Sequence, residues 1–130
     1  MSALLVAVGG AVGSLLRFWM SGVAQRSVPA TGEWSVFPAG TLVVNVFGCL
    51  LAGALAEVGE RHGPLSNETR ALLMVGFLGG FTTFSAFANE TVAVWRSGAT
   101  VVSLVNVAVS VVSCVAAVVV GRGLIAAVVK

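Results

Sequence analysis

The chain has 130 residues, of which 58% are hydrophobic and 9% charged, with a formal net charge of +2 and a mean hydropathy of +1.04. Soluble domains are about half apolar and about a quarter charged, so this balance excludes a water-soluble globular domain and points to a chain that lives in a bilayer. Seven scattered Lys and Arg residues also exclude a nucleic-acid surface or another polyanion partner.

Four apolar stretches, about 3–23, 36–56, 71–95 and 100–121, each come near the roughly 20 residues that a helix needs to cross a membrane. Together they fill the chain, which reads as one transmembrane domain over residues 1–130. The first span holds Gly9 and Gly13 and a single ionisable residue, Arg17. Arg17 reads either as snorkelling toward the headgroups or as reaching a vestibule. No Lys or Arg precedes this span, which argues against a cleaved signal peptide. Trp19, Trp34 and Trp95 fall near span ends, where aromatic anchors sit.

The second span carries Thr41 and, near its middle, Asn45 one turn further on. An amide at that depth is costly unless paired, so it reads as an interhelical hydrogen bond or as a pore-lining donor to an anion. The loop that follows, 57–70, gathers Glu57, Glu60, Arg61, His62, Glu68 and Arg70. His62 has no cysteine or carboxylate cluster at metal-ligand spacing and reads as a solvated loop residue.

The third span contains Gly76-Phe77-Leu78-Gly79-Gly80-Phe81-Thr82-Thr83-Phe84-Ser85-Ala86-Phe87. Adjacent glycines followed by adjacent β-branched threonines weaken a helix, and a helix interrupted at membrane depth frees backbone groups that lipid cannot satisfy. An ion, a pore or a partner chain must then satisfy them. Phe84 and Phe87 are three apart and share a helix face. They serve as core or present the positive edges of their rings to an anion, beside a helix N-terminus of positive dipole character. Glu90 lies near Trp95 and Arg96, where capping or pairing is at least as apt a role as ion coupling.

On the fourth span Ser103, Asn106, Ser110 and Ser113 recur at intervals of three and four, so they form one polar stripe. Such hydroxyls bond back to their own helix or line a water- or ion-bearing path. Cys49 and Cys114 lie mid-span on different helices and read as free thiols in apolar surroundings. The sequence offers no nucleophile, metal cluster or nucleotide motif, so an enzyme is not expected.

Arg61, Arg70, Arg122 and Lys130 stand on the side of the termini against Arg17, Arg26 and Arg96 on the other. So small a bias barely specifies orientation, which predicts dual topology and an antiparallel dimer. Small residues spaced by four at Gly9/Gly13, Gly48/Ala52/Ala56 and Gly76/Gly80 suit close helix approach and self-association.

These residues resemble the Fluc or CrcB family of small fluoride channels. The likeness rests on Gly9-Gly10-Ala11-Val12-Gly13 with Arg17, on Gly40-Thr41 with Asn45 and Gly48, and on the Gly76–Phe87 run with Glu90. The resemblance implies an all-α membrane protein with four transmembrane helices per subunit and a third helix broken mid-membrane. It further implies an antiparallel, dual-topology homodimer in the bacterial inner membrane, with two fluoride pathways along the subunit interface. Carbonyls of Gly79 and Thr82 would hold a structural Na+ at the two-fold axis. Phe84 and Phe87 would line the pathway, with Asn45 and Thr41 on the second helix. Ser110 and Ser113 would form the hydroxyl track, and Arg17 would sit in the vestibule. Phe81 and Ala86 depart from the residues frequent in the family, which bears on packing beside the break. The implied activity is passive fluoride efflux, and so fluoride resistance.

Two other readings compete. A proton-coupled exporter resembling the small multidrug transporters has similar size and topology, but it needs an embedded Glu in the first span, where this chain has only Arg17. A non-transporting scaffold would use the polar stripe as glue between helices.

Overall fold

Proline and glycine bound the second helix, with Pro38 at its N-cap and Gly63 at its C-cap. In the computed structural model, which describes residues 1–128, α1 is Ser2–Gln25 and α2 is Ala39–His62. Residues 67–81 form α3, Phe84–Arg96 forms α4, and Thr100–Val128 forms α5. Lys130, counted above among the terminal-side charges, lies outside the described residues. All regular structure among the described residues is helical. Four segments, Ser2–Gln25, Ala39–His62, Asn67–Arg96 and Thr100–Val128, are long and apolar enough to cross a membrane.

The second helix begins later than expected, at Ala39, because Glu33–Val36 is a 3-10 turn and Pro38 stands at the N-cap. Proline there has no N–H to leave unpaired. Gln25 from α1 completes the cap: its Oε1 accepts the Gly40 N–H at 3.1 Å and its Nε2 donates to the Phe37 carbonyl at 3.0 Å. The same helix runs on to His62, so this histidine ends a helix rather than lying in the loop, and Gly63 at φ 92° stops it. α5 likewise continues past residue 121. There Arg122 reaches back to α2, pairing with Glu60 and lying 3.9 Å from Glu57.

Residues 67–81 open with Ser66, whose hydroxyl accepts the Thr69 N–H at 3.1 Å. Over Arg70–Leu78 the backbone then widens into π-helical turns, a rare geometry that recurs at functional sites.

Glycines decide the helix contacts. A Cβ on Gly9 would overlap the Leu72 carbonyl, one on Gly13 the Phe77 carbonyl, and one on Gly80 would lie 2.6 Å from the Gly10 carbonyl oxygen. α1 and α3 thus touch backbone to backbone. A second such seam joins α2 to α5, with Gly53 against Val118 and Gly121 against Leu50. The rows at Gly9/Gly13 and Gly76/Gly80 are therefore spent inside the chain, and they carry no argument for a second chain. Outward-facing Leu15, Phe18, Leu104 and Val112 are exposed, as lipid contact requires. Trp19, Trp34 and Trp95 are exposed as well.

Candidate functional site: the Thr82-Thr83 junction and its cavity

Between α3 and α4 two residues leave the helix. Thr82 has ψ 156° and Thr83 has φ −152°, both extended. Thr82 closes α3, since its N–H and its hydroxyl both bond the Leu78 carbonyl at 2.9 Å. Thr83 opens α4, its hydroxyl accepting the Ala86 N–H at 3.1 Å. One of the amides at this helix start is thereby capped and is not free to meet an anion.

Asn45 of α2 is docked on this junction. Its Oδ1 accepts the Thr83 N–H at 2.8 Å and its Nδ2 donates to the Thr83 carbonyl at 3.1 Å. The amide holds the junction, which is the interhelical role, and it keeps one further N–H.

These bonds have a consequence for two carbonyls. In an unbroken helix Thr83 N–H would serve the Gly79 carbonyl and Ala86 N–H the Thr82 carbonyl. Here the first donor goes to Asn45 and the second to the Thr83 hydroxyl. Both carbonyls are released from their regular helical donors, and Gly79 is exposed on the surface of the chain.

The junction borders a cavity of about 380 Å³ lined by Asn45, Gly48, Phe84, Phe87 and Ser110, among others. The Phe84 and Phe87 rings lie 5.5 Å apart at 50°. Phe84 is 78% exposed, so it does not serve as core within one chain. Phe81 does: it is buried and stacks on Phe77 at 5.6 Å, which accounts for an aromatic residue at that position.

Thr41 lies apart from this group. It donates to Glu90 Oε1 at 2.9 Å, and the pair lines a second cavity of about 510 Å³ with Ser21, Gln25 and Ser97. Arg17 joins Thr41, Thr83, Ala86 and Glu90 around a third, of about 250 Å³. Glu90 therefore pairs between α2 and α4, and its other oxygen, Oε2, is buried without a hydrogen-bond partner.

The stripe on α5 divides. Ser110 reaches the junction cavity and donates to Asn106 Oδ1 at 3.3 Å. Ser113 bonds back to the Val109 carbonyl of its own helix and lines none of these three cavities.

Comparison of the sequence with protein-family models matches residues 4–122 to "CrcB-like protein, Camphor Resistance (CrcB)". The chain belongs to the CrcB-like family. The match runs from Leu4 in α1 to Arg122 in α5. Among curated relatives, a fluoride-specific ion channel FluC of Rhizobium etli is 46% identical over 128 residues, 98% of each chain. One of Rhizobium johnstonii is 46% identical over 92% of this chain and 91% of the relative. One of Paracoccus denitrificans is 44% identical over 95% and 96%. These relatives carry a channel's name, and the exporter reading finds no support among them. A CrcB-like chain with four such segments is a multi-pass membrane protein.

One residue beside the candidate site escaped the sequence reading. Thr91 of α4 accepts from Asn106 Nδ2 at 2.8 Å through its hydroxyl and from Ser103 at 3.0 Å through its carbonyl, and its hydroxyl donates to the Phe87 carbonyl at 2.6 Å. Its signal was its place, one turn beyond Phe87 and facing the stripe it satisfies.

Proposed function

We propose that this chain is a fluoride-selective channel that carries fluoride passively out of the cell across the bacterial inner membrane, and so confers fluoride resistance. The observation that carries the reading is the junction cavity, where an amide, a serine hydroxyl and two tilted aromatic rings converge beside an interrupted third span. Fluoride is small and strongly hydrated. A narrow path must replace its water with successive donors, each weak enough to let it go. The spare N–H of Asn45 and the positive ring edges of Phe84 and Phe87 form such a series, which Ser110 joins when its hydroxyl turns from Asn106 to the ion.

The working unit is an antiparallel homodimer with dual topology. The exposed Phe84 and the nearly balanced Lys and Arg counts support it, since each pathway would then be walled by both subunits. Arg17 would draw anions into the vestibule, with Thr41 and Glu90 beyond it. Ser113 has its hydroxyl engaged on its own helix and lines none of the three cavities, so a single chain gives it no place in the series.

The freed carbonyls of Gly79 and Thr82 suit a structural Na+, because hard cations take oxygen ligands and unwound carbonyls in membranes serve as such sites. Two subunits would supply two pairs of carbonyls. When bound, the ion would supply the positive charge that these carbonyl oxygens lack once their helical donors are diverted. The chain's own share is to keep those oxygens free of their helical donors, through Asn45 and Thr83.

The test is fluoride efflux from liposomes holding the purified protein, read with a fluoride electrode, with chloride for comparison. Fast fluoride-selective efflux that needs no proton gradient and is lost in Phe84→Ile supports the channel. An intact dimer without flux would overturn it in favour of a scaffold.

A further inference from the structure

We propose that Cys49 and Cys114 form a two-thiol site for a soft cation of linear coordination, such as Hg(II), on the wall of the junction cavity. The site follows from the α2–α5 seam. Gly53 meets Val118 backbone to backbone, and Cys49 and Cys114 each stand four residues earlier on the same two helices. One turn back along that row stand the two cysteines. They are free, half-buried and direct side-chain neighbours. Both line the cavity that also holds Asn45, Phe84 and Ser110, which gives a ligand a way in.

The chemistry of the pair selects the class of ion. Among the described residues no group of three or more His, Cys, Asp or Glu comes together, so the tetrahedral set that zinc prefers is lacking. Two sulfurs alone match an ion content with two ligands, and thiolates select soft metals. Binding exchanges two S–H bonds for two S–Hg bonds and releases two protons, with no change of oxidation state. Two thiolates cancel the charge of Hg(II), so the bound site is neutral, which is what a cavity at membrane depth tolerates. Affinity rises with pH, because the ligands must lose protons. An ion held here would narrow the path, a consequence that rests on the fluoride reading, whereas the two-thiol site itself does not.

The experiment titrates the purified full-length protein in detergent with mercuric chloride, then passes it through gel filtration in the presence of a competing monothiol. Bound mercury is counted by intact mass and by sulfur-to-mercury charge-transfer absorption. One Hg(II) per chain, retained by the wild type and lost in both Cys49→Ser and Cys114→Ser, is the expected result. Cys49→Ala and Cys114→Ala replace these variants where a hydroxyl at that depth prevents folding. Mercury retained equally by either single variant, or two mercury ions bound per chain, overturns the proposal. A second arm measures fluoride efflux before and after mercury, each variant scaled to its own untreated rate. The wild type should lose most of its efflux and regain it with a dithiol, while the single variants resist. Undiminished efflux with one mercury bound overturns the placement on the path. Wild-type vesicles that pass no fluoride before mercury instead undo the channel reading, and the binding count still decides the thiol site.

Discussion

Asn45 satisfies both backbone groups of Thr83, N–H and C=O, from a neighbouring helix. A residue that leaves a helix at membrane depth must find partners for exactly those groups, and lipid has none. The amide is the side chain that offers a donor and an acceptor on one rigid plane. Asn45 thus supplies the partners that Thr83 loses where α3 gives way to α4, in addition to any contact with an ion.

Asn45→Leu should therefore act on structure as well as on flux. Losing two interhelical hydrogen bonds costs about 1–2 kcal/mol, given roughly 0.6 kcal/mol on average for each such bond in a membrane. Leaving the Thr83 groups unpaired adds to that. Thermal unfolding in detergent should show a lower midpoint, and efflux should vanish. A variant with wild-type stability and no flux would mean that the amide serves the ion alone.

The seam between α1 and α3 admits no side chain. Gly13→Val puts its branched carbon into the Phe77 carbonyl, where the obstacle is backbone and cannot rotate away. Folded, monodisperse protein should be lost. Gly22→Ala meets nothing within 4 Å and should leave stability unchanged or raise it by up to about 1 kcal/mol, the helix preference of Ala over Gly. Equal yields from the two would refute the tight seam.

Much of this was legible from residue order. The four spans followed from hydropathy, and the glycine pairs announced backbone contact, because only glycine lets carbonyls touch a neighbouring helix. What order could not tell was the partner. Gly9 and Gly13 fit a second chain as well as they fit Gly76 and Gly80, and only the fold chose the latter. Asn45 was recognised as costly, but its partner is a backbone 38 residues away, which no periodicity reports. Thr41 seemed to belong with Asn45 because they lie one turn apart. The structure turns it to Glu90 and a different cavity, since four residues advance a helix face by about 40° beyond a full turn. The helix ends ran beyond their hydrophobic runs because ion pairs such as Arg122 with Glu60 extend a helix that hydropathy alone would stop.

Sodium should matter to the assembled protein. If the Gly79 and Thr82 carbonyls hold Na+ between subunits, replacing sodium by a bulky organic cation removes a ligand that binds only the assembled state, and it lowers apparent stability by mass action. Unfolding midpoints should rise with sodium concentration and level off, and efflux should follow the same curve. A midpoint indifferent to sodium would argue that the carbonyls are served by water.

Thr91 separates structure from permeation on the α5 stripe. Asn106 is 1% exposed, and its amide nitrogen relies on the Thr91 hydroxyl, so Thr91→Val leaves a buried donor unpaired while keeping the volume. The expected cost is about 1–3 kcal/mol, read as a lower unfolding midpoint. Asn106 also accepts from Ser110, so its loosening should reach the junction cavity and slow efflux. Thr91→Ser retains the hydroxyl and should restore both readouts together. Recovery of stability without recovery of flux would show that the Thr91 methyl group, rather than its hydrogen bonds, shapes the path.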